Sequence, residues 1–137
     1  MKHVCITDTK KQVLYATNMH PGKEHDKTIF LENTIYSFLP ENIKKYFDLA
    51  FLGIEKDCPE LNNIYMPFKK PKKKELSKNK RAWNKRVSKK RVLIENTFAG
   101  VKRLKIMVDI FRNIKTGFSD NVFFASCGIW NFYLNPI

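Results

Sequence analysis

The sequence predicts an α/β protein, and three observations support this. Apolar and polar residues alternate at the start of the chain, short apolar segments then alternate with helical patterns, and longer helical patterns occupy the remainder. With 137 residues, of which 43% are hydrophobic and 13% aromatic, the chain is long enough to bury a core. We therefore expect one globular domain over residues 1–137.

A β-hairpin and a helix are the first predicted elements. The segment HVCITDTKKQVLYATNM alternates apolar and polar residues on both sides of a polar centre from Asp8 to Lys11, which is typical of two antiparallel strands. Asp26 stands where an N-cap residue would accept the free backbone amides of a helix. We expect that helix to continue to about Phe38, before Pro40.

Two short strands and a long helical segment come next. KKYFDLAFLG (residues 44–53) is typical of a short buried strand that ends at a glycine, and NIYMPF (residues 63–68) of another strand. From about residue 76 to about residue 105 the pattern is helical. We expect two helical pieces joined near Val87 or Ser88.

The last predicted element is an apolar helix in SDNVFFASCGIWNFYLN, capped by Ser119 or Asp120. Such a helix is expected to bury most of its surface against the sheet. The longest apolar run, residues 122–130, is well below the ~20 residues that span a bilayer. The N-terminus has no apolar signal core, so we expect neither export nor membrane insertion.

The cysteines indicate a reducing environment. Cys5, Cys58 and Cys127 are odd in number and far apart, and they form no C-x-x-C pair and no zinc set with a nearby histidine. We expect a cytoplasmic, nucleoid-associated protein.

Positive charge is concentrated in residues 69–91, here called the basic run. It holds thirteen Lys and Arg against one acid, Glu75, so its net charge of +12 is nearly the whole +13 of the chain. A solvated basic face and a nuclear-import signal are the simpler interpretations. So high a density of positive charge favours contact with a polyanion, and nucleic acid is the leading candidate. Phosphates would neutralise the cationic side chains and relieve the repulsion among them. Trp83, within the run, either stacks on a base or clamps the helix to the core.

The predicted DNA-contacting side chains are those of the basic run: Lys69, Lys70, Lys72, Lys73, Lys74, Lys78, Lys80, Arg81, Lys85, Arg86, Lys89 and Lys90.

Glu95 is an isolated acid in the basic and apolar segment SKKRVLIENTFAGVKRLK. On a helix, Arg91 and Lys102 fall within roughly 40° of Glu95, so the three share one stripe. The stripe beside it is apolar: Ile94, Phe98 and Val101. The simpler interpretation is that Glu95 forms a surface ion pair. Alternatively, a carboxylate at the border of the core, beside cations that can bind phosphates, suits a metal site that cleaves phosphodiesters.

Such a site needs further carboxylates, because two Mg²⁺ ions about 4 Å apart must be held by acidic oxygens. Asp48 is the best second candidate, since it lies in an otherwise apolar strand, and α/β folds place chemistry at strand ends. Asp8 is interpreted as a turn residue and Asp26 as a helix cap. Asp57 and Asp109 lie in polar or loop contexts where we expect no partners.

Several segments together resemble the DDE-type transposases of bacterial insertion sequences, a group that shares its catalytic domain with the Harbinger-like nucleases. They are PGKEHD, FDLAFLGIEKD, PFKKPKKKELSKNKRAWNKRVSKKRVLIENTFAGVKRLK and FRN, and the resemblance covers nearly the whole chain. In this family an Asp followed by an aromatic residue and a glycine ends a central strand, which matches Asp48, Phe51 and Gly53.

The resemblance also extends to the surroundings of Glu95. The family's last catalytic Glu follows an Arg by four residues and precedes a Lys by seven, which matches Arg91, Glu95 and Lys102. It implies that Asp48 and Glu95 are catalytic residues that ligate the metal, and that Arg91 and Lys102 support them by holding Glu95 and nearby phosphates. The family's Tyr before that Arg is replaced here by Ser88.

The resemblance implies an RNase H-like fold whose catalytic set is two Asp and one Glu. The first Asp normally lies on a central strand before the opening hairpin, so we expect this chain to be a C-terminal part that lacks that strand. Asp8 could substitute for that first Asp, but its turn context makes this the less favoured interpretation. We expect the chain alone to show no nicking, and an upstream transposase fragment to restore activity.

The function implied is DNA transposition. The intact protein would use Mg²⁺, or Mn²⁺, to hydrolyse DNA at transposon ends and join the freed 3′-hydroxyl to a target, acting as a homo-oligomer. The alternative is a non-catalytic basic module, associated with the ribosome or RNA, in which Glu95 only pairs with Arg91.

Overall fold

The computed structural model describes residues 2–107 and 115–137 as a mixed helix and strand fold, so the α/β prediction is confirmed at that level. The chain divides into two compact units. The terminal unit comprises Met1–Gly22 and Leu93–Ile137, and the central unit comprises Lys23–Val92. The single domain over residues 1–137 stays a prediction.

The terminal unit begins with the predicted hairpin. Strand β1 (Cys5–Thr7) pairs antiparallel with β2 (Val13–Ala16). Between them, Asp8 Oδ1 accepts hydrogen bonds from the backbone N–H groups of Lys10 and Gln12, both at 2.9 Å. These bonds fix the turn, which confirms the hairpin and the interpretation of Asp8 as a turn residue.

Helix α4 (Phe118–Leu134) packs against this hairpin in the terminal unit. The Asn131 side chain accepts from the N–H of Val13 and donates to its carbonyl, both at 2.8 Å. Trp130 Nε1 donates to the Lys11 carbonyl at 2.9 Å. The core of the unit is formed by four buried side chains: Val101, Phe123, Cys127 and Trp130.

Two expectations about α4 are wrong. The helix begins at Phe118, after Gly117 at φ 76°, so neither Ser119 nor Asp120 is its cap. Asp120 instead accepts from the Met19 backbone N–H at 2.7 Å. Much of the helix surface is also exposed, including large apolar side chains: Phe124, Ile129, Phe132 and Tyr133. None of the helices within the described ranges is long and apolar enough to cross a membrane.

The central unit begins with α1 (Asp26–Glu32), which is shorter than predicted. Asp26 is the first helical residue rather than the cap, and its helix ends before a separate 3₁₀ turn, Ile35–Phe38. Thr34 interrupts the two with a left-handed backbone, φ 48°. Just before it, Asn33 Nδ2 donates to a carbonyl one turn back, at 2.8 Å, which offers the chain an alternative to continued helix.

The next two strands form a parallel pair and are shorter than predicted. Strand β3 (Lys45–Tyr46) pairs with β4 (Ile64–Tyr65). The apolar segment after β3 does not extend the strand, because Asp48 begins a 3₁₀ turn over Leu49–Phe51. The four-residue helix α2 (Ile54–Asp57) follows.

Lys45 is a buried lysine that fixes the loops preceding β3 and β4. Its Nζ donates to the backbone carbonyls of Glu41, Ile43 and Asn62 at 3.2–3.5 Å. These bonds satisfy the buried ammonium group and tie the two loops together.

Helix α3 (Lys78–Val101) is one continuous helix, so the expected join near Val87 or Ser88 is wrong. It contains no proline, and its first glycine lies one residue before its end. Ser88 is exposed on the helix surface, where serine is only mildly unfavourable. A 3₁₀ turn over Lys105–Met107 follows.

Candidate active site

Asp48 lies two residues beyond the carboxyl end of β3, in the central unit. Its Oδ1 accepts from the Leu49 backbone N–H at 2.6 Å, and its side chain is 47% exposed. The expectation that Asp48 lies within a buried strand is therefore wrong. The exposed position avoids the cost of burying an acid and agrees with the expected location at a strand end.

Arg91 is the charged partner of Asp48 within the central unit. Its Nη1 lies 3.7 Å from Asp48 Oδ1, and the arginine side chain is 57% exposed. An exposed pair at this distance contributes little to folding, on the order of 0–1 kcal/mol. Sequence reasoning assigned Arg91 to Glu95 and did not foresee its pairing with Asp48.

Glu95 lies on α3, four residues after Arg91, and is exposed. The apolar stripe predicted beside it is at least partly buried: Ile94 and Phe98 are half-buried, and Val101 is buried. This agrees with a position at the border of the core. Glu95 belongs to the terminal unit.

Lys102 follows the last residue of α3 and is also exposed. Its backbone N–H donates to the Phe98 carbonyl at 2.9 Å, which continues the helical bonding by one residue. Because the side chain is exposed, an anion at the end of the helix can reach its ammonium group.

The donor chemistry of the two acids suits a hard divalent cation. Carboxylate oxygens are the ligands that Mg²⁺ takes from proteins, usually from one or two residues, with water and substrate phosphates completing the shell. In the described part of the chain, Asp48 Oδ2 accepts no hydrogen bond, so it is open to a ligand. Across residues 2–107 and 115–137, no three His, Cys, Asp or Glu side chains gather into a metal-binding group.

Of the remaining acidic candidates, one forms an ion pair elsewhere and the other lies outside the described residues. Asp57 Oδ2 is 2.6 Å from Lys27 Nζ, so the expectation that Asp57 lacks a partner is wrong. Lys27 also donates to the Leu52 carbonyl at 3.2 Å, which joins α1 to the turn after β3. Asp109, and the FRN segment at residues 111–113, lie outside the described residues.

Burial suppresses the reactivity of two cysteines, both in the terminal unit. Burial, with Cys127 nearby as a second cause, raises the pKa of Cys5 to about 12. Burial also raises the pKa of Cys127 to about 11. Both thiols are therefore neutral near pH 7, where they are poor nucleophiles and poor metal ligands.

The predicted DNA-contacting side chains form an accessible cationic surface. Eleven of the twelve are exposed, and Lys90 is half-buried. Residues 69–74 lie in a loop, and the later members lie on the first half of α3. Glu75, the single acid of the basic run, lies 3.8 Å from Arg81. Contact with DNA stays a prediction.

Trp83 and Asn84 anchor α3 to the segment after β4 within the central unit. Trp83 Nε1 donates to the Met66 carbonyl at 2.9 Å, and its ring stacks on Tyr65 with centroids 5.7 Å apart. These contacts support the clamping interpretation of Trp83. Asn84 bonds the backbone of Phe68, and sequence reasoning missed it because no local pattern marks a tertiary contact of this kind.

A family model described as DDE superfamily endonuclease matches residues 1–131. No curated protein and no solved structure shows a significant match.

Proposed function

This chain belongs to the DDE superfamily endonucleases, and from that premise we propose that it is catalytic machinery of a DNA transposase. Membership implies chemistry of the nuclease and transposase type, with DNA as substrate. We infer further that the reaction is Mg²⁺- or Mn²⁺-dependent cleavage at transposon ends followed by strand transfer. The match gives no support to the alternative of a non-catalytic, ribosome- or RNA-associated module.

One observation carries the assignment of residues: the Asp48 carboxylate lies at the end of β3, paired with an arginine from α3. The same helix carries Glu95 one turn after that arginine. Because α3 is unbroken, Arg91 and Glu95 project within roughly 40° of each other about its axis. The spacing of Arg91 and Glu95 matches the family's pattern, which supports the proposal that Asp48 and Glu95 both serve as metal ligands.

Asp48 and Glu95 are the residues proposed to hold the metal. Their carboxylate oxygens fit Mg²⁺ or Mn²⁺, and two carboxylates can hold one ion when substrate phosphates and water supply the remaining ligands. The two-ion arrangement also needs the first Asp expected from the upstream segment. When bound, the ion polarises the phosphodiester and lowers the pKa of a bound water.

The other residues orient this site and bind the substrate. The Leu49 N–H fixes one oxygen of Asp48, and the other oxygen is the one proposed to bind the metal. Arg91 and Lys102 neutralise the phosphate next to the cleaved bond, and the basic run follows the DNA backbone. Arg91, Lys102 and eleven of the twelve predicted DNA-contacting side chains of the basic run are exposed, as this role requires.

The order of elements supports the further proposal of an RNase H-like fold. An antiparallel hairpin is followed by a helix and then by a parallel strand pair, and the strand-end acid comes in that pair. The proposed enzyme acts as a homo-oligomer on two transposon ends.

A DNA-cleavage assay tests the proposal. The chain is assayed alone and joined to the upstream segment expected from the resemblance, with plasmid carrying the element's ends, in millimolar Mg²⁺ or in EDTA. We expect cleavage by the joined protein only with Mg²⁺. Glu95→Gln and Asp48→Asn should each abolish cleavage and leave DNA binding unchanged, because each removes a metal ligand and neither removes a cation.

Glu60→Gln is the matched control, since Glu60 is an exposed acid on a turn of the central unit. It should cleave like the parent protein. If Glu95→Gln still cleaves DNA, Glu95 is not a metal ligand, and its simpler interpretation as a surface ion-pair residue holds.

A further inference from the structure

Four aromatic rings form a row in the central unit. Their successive centroids, from Tyr46 to Tyr65 to Trp83 to Phe68, lie 5.2, 5.7 and 6.5 Å apart. The first three rings are half-buried, whereas Phe68 at the end of the row is 45% exposed. Phe68 therefore presents an apolar ring to solvent on a packed aromatic support.

The Phe68 backbone is fixed as well as supported. Its N–H donates to Asn84 Oδ1 at 2.7 Å, and its carbonyl accepts from Asn84 Nδ2 at 3.0 Å. Two hydrogen bonds from one side chain hold this residue in register with α3. Because the backbone is fixed and the ring lies against Trp83, less conformational freedom is lost when a ligand binds than at an unsupported phenylalanine.

The charge around Phe68 indicates what that ligand is. Lys80 Nζ lies 5.1 Å from the centroid of the Phe68 ring, and Lys69 and Lys70 follow directly in the chain. A fixed ring within a dense group of cations is complementary to a nucleotide, whose flat base stacks on the ring while its phosphate meets the lysines.

We propose that Phe68 is a stacking residue for an unpaired base of single-stranded DNA. The proposal rests on the proposed function, which makes DNA the substrate, and adds the form of DNA that is engaged here. Base faces inside a duplex are covered by their neighbours, so only an unpaired or displaced base offers a free face to the ring. Strand cleavage and joining expose such bases at DNA ends.

DNA-binding titrations in EDTA test this without requiring any cleavage. A labelled oligo-dT 12-mer is compared with a duplex of random sequence, using Phe68→Leu and Phe68→Tyr. We expect Phe68→Leu to weaken single-strand binding by about 5- to 150-fold, the equivalent of the ~1–3 kcal/mol for one stacked base. Duplex binding should change by less than about twofold, since the lysines are retained. Phe68→Tyr keeps the ring and should bind both forms normally.

The matched control is Phe38→Leu, because Phe38 is a 68% exposed phenylalanine of the same unit outside the basic run. It should leave both affinities unchanged. Equal losses for both DNA forms, no loss in Phe68→Leu, or a similar loss in Phe68→Tyr would each overturn the stacking role. If the parent protein binds duplex DNA strongly and Phe68→Leu binds single-stranded DNA as the parent does, this inference alone is overturned. If the parent protein binds neither form of DNA, the proposed function is overturned as well.

Discussion

At the scale of single residues, the site depends on exposed charges whose contribution to folding is small. Asp48 and Arg91 lie 3.7 Å apart and are both about half exposed. Such a pair is screened by water and salt, so it is poorly explained as a stabilising device. Its position at a strand end fits the proposed site, in which Asp48 would hold a metal ion and Arg91 would meet a phosphate.

Arg91→Ala should therefore reduce DNA cleavage much more than it reduces the stability of the protein. We expect the free energy of unfolding to fall by no more than about 1 kcal/mol, because the pair is exposed. In the protein joined to the upstream segment, metal-dependent cleavage should fall at least about tenfold, because one cation–phosphate contact of about 1.5–3 kcal/mol is lost. Urea denaturation and a cleavage time course measure the two effects.

Arg86→Ala is the control, because Arg86 is exposed on the same helix and lies within the basic run. It should reduce cleavage less than Arg91→Ala does. Loss of activity in proportion to a large loss of stability would instead make Arg91 a structural residue.

At the scale of elements, Gly100 allows α3 and α4 to pack closely within the terminal unit. A Cβ atom placed on Gly100 would overlap the ring of Trp130, whereas one placed on Gly128 would meet nothing within 4 Å. Trp130 is a buried core residue that is also bonded to the hairpin turn, so it has little room to move.

Gly100→Ala should destabilise the protein by about 1–3 kcal/mol, the usual cost of overpacking a core. Gly128→Ala is the matched control on the facing helix and should stabilise by up to about 1 kcal/mol, because alanine is the better helix former and the site is open. Thermal unfolding of the two variants measures the difference. A Gly100→Ala protein as stable as the parent would show that the helices separate without cost.

Patterns in the sequence predicted the elements with local signals and failed for those decided by packing. The hairpin, α3 and α4 follow from alternation and helical periodicity, and each is present. The apolar segment after β3 was expected to be strand, yet Phe47 and Phe51 instead pack edge-on against Phe30 of α1, with centroids 5.5 and 5.8 Å away. An apolar run of this length fits either arrangement, and only the tertiary partner decides.

For the candidate site, too, some features could be predicted from the sequence and others could not. Asp48, Glu95 and Arg91 could be selected from the sequence, since an acid in an apolar or basic segment is unusual and its spacing matched a family pattern. The pairing of Asp48 with Arg91, and of Asp57 with Lys27, could not, because partners distant in sequence leave no periodic signal.

At the scale of the whole molecule, the dominant feature is its charge of +13, nearly all of it in the basic run. Charge of one sign at this density destabilises a compact protein by self-repulsion and attracts a polyanion at long range. The exposure of the run, in a loop and along half of a helix, makes it accessible to a DNA backbone.

Replacing Lys72, Lys73, Lys74 and Lys78 with Gln should flatten the plot of log affinity for duplex DNA against log salt. Each phosphate contact that is lost should reduce the slope by roughly 0.9, because fewer counterions are released on binding. The control replaces four exposed lysines outside the run: Lys10, Lys23, Lys56 and Lys105. It changes net charge equally and should leave the slope nearly unchanged; equal effects from both sets would mean that DNA responds only to total charge.

We propose that Asp48 and Glu95 hold one divalent metal ion, and Mn²⁺ anomalous diffraction from crystals of the protein with DNA is the decisive test. We predict one anomalous peak with an oxygen of each carboxylate about 2.0–2.6 Å away, which places the two carboxylate groups roughly 4–8 Å apart. Carboxylates more than about 12 Å apart cannot share an ion of this size. That separation, or Mn²⁺ bound to one acid and not the other, would rule out a metal site shared by Asp48 and Glu95.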